Sequence, residues 1–116
     1  MKLITKEIEK QAKKYPLYSQ DGKGDESHVW LKFFNPTGAG TWYITEMDIE
    51  EIVKQGSHQV IRGTAFGYVT GLGYDELGYI DLEELTSISF PYGLRIERDL
   101  YFPENVTLKM VKENHV

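Results

Sequence analysis

The chain has no cysteine. That excludes a disulfide framework and any thiolate zinc site, and it removes the usual mark of a small secreted domain. Long apolar runs are missing as well: no stretch approaches the roughly 20 residues that a membrane-spanning helix needs. Residues 1–14 are charged throughout and lack the apolar centre of a signal peptide. A cytoplasmic location, away from membranes, is the expectation. Basic charge is scarce beyond the N-terminus. Residues 1–14 hold five lysines against two glutamates, whereas residues 15–108 hold six basic and fifteen acidic residues, within a net charge of −5. Nucleic-acid binders draw most of their affinity from neutralising phosphates, so this acidic body argues against a nucleic-acid partner.

Two further patterns fail on context. Gly63, Gly67, Gly71 and Gly73 are interrupted by the strand-forming Phe66, Tyr68 and Val69, and no helix opens on them as a phosphate loop requires, so turns and close strand packing account for them. His28, His58 and His115 share no helical or hairpin spacing and do not form a zinc set. The serines sit in polar loops or beside turns, without the strand, elbow and helix that frame a nucleophile.

What the chain does contain is enough for one folded core. At 116 residues, with 41% hydrophobic and 13% aromatic residues, it matches a single domain. Residues 5–14 read as a helix, with Thr5 as N-cap, glutamates early, lysines late and Pro16 beyond. A polar loop over 19–27 leads into a strand over 29–34, a turn at Asn35-Pro36-Thr37-Gly38, and a second strand over 41–47. Residues 48–55 have helical spacing, with Asp48 and Glu51 as a capping box and Gly56 as the stop. Further strands are expected over 59–62, 64–70, 78–80 and 94–102. Asp81 caps a short helix through residue 85, and 107–112 form a terminal helical turn. The fold class predicted is α+β: one antiparallel sheet of four to five strands with short helices, comprising a lysine-bearing helix over 1–14, a sheet-containing body over 28–102 and a tail over 103–116.

The chemistry-bearing candidates fall into three groups. The aromatic residues are too numerous for all to point inward, so Trp30, Tyr43, Tyr68, Tyr79 and Tyr92, together with Glu97 and Asp99, are read as a binding patch for a protein partner. Glu46-Met47-Asp48 and Glu97-Arg98-Asp99 each place two carboxylates on one strand face, the arrangement from which oxygen-liganded Mg²⁺ or Mn²⁺ sites are built, and Glu46, Asp48, Glu97 and Asp99 are the catalytic alternative. Against that, Trp42, Ile44 and Glu46 share one face by the period-two rule, as do Ile96, Arg98, Leu100 and Phe102. A buried Glu46–Arg98 pair is therefore expected, with Arg98→Ala costing roughly 3–5 kcal/mol by stranding a buried carboxylate.

Four strings taken in order resemble one bacterial family: 41–48 (Thr-Trp-Tyr-Ile-Thr-Glu-Met-Asp), 66–72 (Phe-Gly-Tyr-Val-Thr-Gly-Leu), 76–85 with its Glu-Leu-Gly-Tyr and Leu-Glu-Glu-Leu, and 93–102 (Gly-Leu-Arg-Ile-Glu-Arg-Asp-Leu-Tyr-Phe). On them the chain is similar, over about 15–102, to the domain of unknown function 2958 family, with the N-terminal lysine helix and the length of the 48–66 stretch as departures. The resemblance implies an accessory protein of a mobile genetic element such as a plasmid, and it supplies no agreed catalytic residue. The expected function is a non-enzymatic protein-binding module, in its sharper form an inhibitor of a host defence nuclease that imitates the negative surface of DNA. The alternative is a metal-dependent nuclease using the four carboxylates.

Overall fold

The computed structural model describes residues 2–113. Helix α1, Lys6–Lys14, starts where Thr5 accepts a hydrogen bond from the Ile8 amide, and it buries Ile8 and Ala12. Its opposite face stays solvated. Strands β1 (His28–Val29) and β2 (Leu31–Phe34) are split at Trp30, and β3 (Thr41–Gln55) and β4 (His58–Thr70) form a long hairpin. Strand β5 (Glu76–Asp81) runs straight into helix α2 (Leu82–Ser87), which the Asp81 carboxylate caps at the amides of Glu83 and Glu84. Strands β6 (Glu97–Arg98) and β7 (Val106–Thr107) and helix α3 (Leu108–Lys112) complete the chain. The sheet is antiparallel in the order β5-β4-β3-β2-β6, and β1 and β7 pair separately, so the fold is α+β.

Several expected elements change. Residues 48–55 are strand, not helix: Ile52 pairs with Ile61 and Val53 with Val60. Gly56, at φ +60°, begins the two-residue hairpin turn between Gln55 and His58 and does not end a helix. The two strands expected on either side of Gly63 are one continuous β4, and the last strand shrinks to Glu97–Arg98.

Strand β3 is bulged twice, between Ile44 and Glu46 and between Ile49 and Glu51. Each bulge adds one residue, so the side chains facing the main core run Trp42, Ile44, Met47, Ile49 and Ile52, with steps of three at the bulges. The opposing strand makes room with glycine. A Cβ on Gly67 would overlap the Tyr43 carbonyl oxygen, and one on Gly63, already at φ +153°, would overlap that of Asp48.

The main core lies on one sheet face, where Phe33, Ile44, Met47, Ile61 and Ala65 meet Leu3, Ile4, Ile8, Leu82, Leu85 and Ile96. The other face is partly covered by a second cluster of Val29, Tyr43, Val106, Leu108 and Val111. Where β5 stops, α2 takes over. The buried Thr86 hydroxyl accepts from the Ile61 amide at 2.9 Å and donates to the Leu82 carbonyl at 2.6 Å. Thr86→Val keeps the shape but orphans a buried N–H, so we expect a loss of about 1–3 kcal/mol in urea unfolding, against little for Thr86→Ser.

Candidate functional site

The first bulge organises the site. It turns the Thr45 carbonyl out of the ladder, where Gln20 Nε2 donates to it at 2.7 Å and Trp30 Nε1 at 2.8 Å. It also turns Glu46 onto the face opposite Trp42 and Ile44, beside Phe66. There the buried Glu46 carboxylate accepts the amides of Tyr18 and Gln20, each at 2.9 Å. Asp48 accepts the Leu17 amide at 3.1 Å, and the Met47 amide donates to the Tyr15 carbonyl at 2.9 Å. Gln20 is fully used, since it also donates to the His28 carbonyl and accepts the His28 amide. Residues 15–20 are thus fastened along 45–48.

Those bonds, with the turn bond from the Ser19 amide to the Pro16 carbonyl at 3.0 Å, hold Tyr18 at φ +73°, a conformation uncommon for a non-glycine residue. The result is an outward ring. Tyr18 is 62% exposed and Tyr79 is 61% exposed, with ring centroids 6.5 Å apart, and Tyr79 meets Phe66 edge-on at 5.1 Å. Leu77, two residues before Tyr79 on the same face of β5, is also exposed. The Tyr79 phenol is pushed above the ordinary tyrosine range, first by hydrogen bonding to the Tyr18 side chain, then by desolvation and by the charges of Tyr18, Asp21 and Glu46.

The residues singled out from the sequence are dispersed. Glu46 and Arg98 do not satisfy each other. Arg98 does lie on the core face, opposite Phe33, but it donates to the Leu3 carbonyl at 3.1 Å and the Lys2 carbonyl at 3.0 Å. The register puts it one strand beyond β2 and about 10 Å further along the sheet than Glu46, on the other face, as counted on the unbulged β4 from Val69 to Phe66. The period-two argument fails because it counts through a bulge.

The four carboxylates proposed for a metal are no closer to converging. Glu46 and Asp48 are occupied by the 15–20 segment. Asp99 accepts the Tyr101 amide at 2.9 Å and lies 3.7 Å from Lys32, and Glu97 sits on edge strand β6. Among the described residues no three His, Asp or Glu side chains group as metal ligands. Of the aromatic candidates, Trp30 and Tyr43 are drawn into the fold, Tyr68 lies half-buried under the Lys112 ammonium at 6.0 Å, and Tyr92 projects from the turn Pro91–Gly93. Tyr79 alone of them joins the exposed ring. Tyr18, Phe66 and Leu77 were not anticipated, and the one available signal was an aromatic standing beside a polar loop. His115 lies outside the described residues.

A second surface feature is a groove of about 420 Å³ between α1 and β3, floored by Ala12, Met47, Ile49 and Ile52. Next to it Arg62 bridges Glu51 at 3.2 Å and Glu83 at 3.4 Å, which hold its guanidinium more firmly protonated than usual, Glu51 most.

These observations define an α+β protein whose bulged sheet displays an aromatic ring beside an uncovered edge strand. The chain belongs to the family described as Protein of unknown function (DUF2958), which matches it over residues 3–114. The match begins before α1, so the N-terminal lysine helix lies within the family's domain and is not an addition to it. No curated protein and no solved structure matches the chain. No helix among the described residues is long and apolar enough to cross a membrane.

Proposed function

We propose that this chain is a non-enzymatic protein-binding accessory module, and that Tyr18, Phe66, Leu77 and Tyr79 form its contact surface. The carrying observation is the imposed conformation of Tyr18. Holding a tyrosine at positive φ costs on the order of 1 kcal/mol, and here a buried carboxylate sustains that cost while the ring itself stays in solvent. Rigid, partly exposed aromatic rings are the side chains that anchor protein interfaces. In its sharper form the module belongs to a mobile genetic element and inhibits a host defence nuclease by presenting an acidic surface in place of DNA.

The test compares capture from a bacterial lysate by the native chain and by a Tyr18→Ser/Tyr79→Ser double variant of unchanged circular dichroism. A partner retained by the native chain should be lost by the double variant and kept by Tyr92→Ser. Equal retention by all three would remove the surface from consideration. If that partner is a nuclease, a DNA oligomer should displace it, and simultaneous binding of both would end the mimicry form.

A further inference from the structure

Resting on that protein-binding reading, we infer that β5 accepts an extended basic segment of the partner as a sixth strand of the sheet. The two edges of the sheet are unlike. Strand β6 is two residues long, and a short edge offers little to pair with. Strand β5 pairs with β4 without a break over six residues, from Glu76 opposite Val69 to Asp81 opposite Thr64. It contains no lysine, proline or bulge, the devices that ordinarily keep a long edge from pairing. From Glu76 to Ile80 its backbone on the side away from β4 makes no hydrogen bond among the described residues. Leu77 and Tyr79 stand exposed on one face of it, and together with Tyr18 and Phe66 they form an apolar lip two residues in period. That is the spacing at which an added strand offers its own side chains.

Charge selects the occupant. Residues 63–94, which supply β5, α2 and the far half of β4, carry five carboxylates and no lysine or arginine; Arg62, just before them, pairs with Glu83 and leaves Asp75, Glu76, Asp81 and Glu84. A second copy of the chain is disfavoured, because antiparallel pairing of two β5 strands about their middle sets Glu76 opposite Asp81 at both ends. A segment with apolar residues at alternate positions, opposite Leu77 and Tyr79, and with lysine or arginine at its flanks meets both the lip and the ends. Recognition would then combine ladder hydrogen bonds, two apolar contacts and a charge match.

The probe is a synthetic nine-residue peptide alternating lysine with valine, against a peptide of equal charge with proline in place of valine, which loses every second N–H donor and has φ fixed away from extended strand. The native chain should bind the first and not the second, with slowed amide exchange confined to 76–81. Binding should fall with salt and drop at least about tenfold in Leu77→Lys, or in Tyr79→Ser should Leu77→Lys not fold. Equal binding of the proline peptide, or unchanged exchange over 76–81, would overturn strand addition. So would protection of 76–81 that rises with protein concentration alone, since the occupant would then be a second copy. If the peptide fails while the Tyr18→Ser/Tyr79→Ser variant still loses a captured partner, strand addition falls and the protein-binding reading stands; if both fail, neither survives.

Discussion

Gly67→Ala is expected to destabilise the chain by more than about 3 kcal/mol, enough to unfold much of it at room temperature. The added methyl falls on the Tyr43 carbonyl oxygen, an atom of the central hairpin that cannot move without breaking the β3–β4 ladder. Gly63→Ala should be comparably severe. It adds a clash with the Asp48 carbonyl to a φ of +153°, where a side chain is strained whatever the space. Gly78→Ala is the control, since nothing lies within 4 Å of its Cβ position and its φ is ordinary. That substitution should be neutral, or stabilise by about 0.5 kcal/mol through the unfolded state. Thermal or urea unfolding of the three variants distinguishes these outcomes. A mild Gly67→Ala would mean that β3 is not bulged opposite it.

Glu46→Ala should cost about 3 kcal/mol, because it removes one charged acceptor from two backbone donors at once. The Gln20 amide is buried and the Tyr18 amide partly so, and neither has another acceptor among the described contacts. Glu46→Gln should cost roughly half as much, since its amide can accept from one donor but turns a second N–H toward the other. Amide exchange at Tyr18 and Gln20 should accelerate in both variants, and the Tyr18–Tyr79 ring contact should loosen with it. The effect is independent of Arg98. Residues this far apart, with no shared partner among the described residues, are additive to within about 0.5 kcal/mol, so a Glu46→Ala/Arg98→Ala cycle should show no coupling beyond that. Arg98→Ala by itself should cost about 1–2 kcal/mol, by releasing the Lys2 and Leu3 carbonyls, and not the larger amount expected of a stranded carboxylate. A coupling of 2 kcal/mol or more would contradict the placement of the two side chains on opposite faces.

The two variant series act on opposite sides of one feature. Gly67 makes room for the first bulge, and Glu46 uses the direction that the bulge imposes. The proposed binding surface follows from both, because Tyr18 reaches Tyr79 only while residues 15–20 are tied to 45–48. Loss of partner binding in Glu46→Gln, without loss of fold, is the expected functional consequence.

Local physics determined much of this fold from the sequence by itself. Thr5, Asp81 and Thr107 cap α1, α2 and α3 through their own side chains, and such bonds reach only two or three residues. The branched and aromatic runs that read as strands are strands for an equally local reason, and so the α+β class was legible. Which face each strand residue occupies was decided only by the tertiary structure. A bulge makes core-facing residues recur at three instead of two, and Ile49 and Ile52 consequently carry the spacing of a helix while lying in a strand. From there the error propagates, since one inserted residue reverses every assignment up to the second bulge, Glu46 included. Tyr18 was illegible for a related reason: its position depends on a carboxylate 28 residues away in the chain, and a bond between distant segments leaves no periodic trace in either.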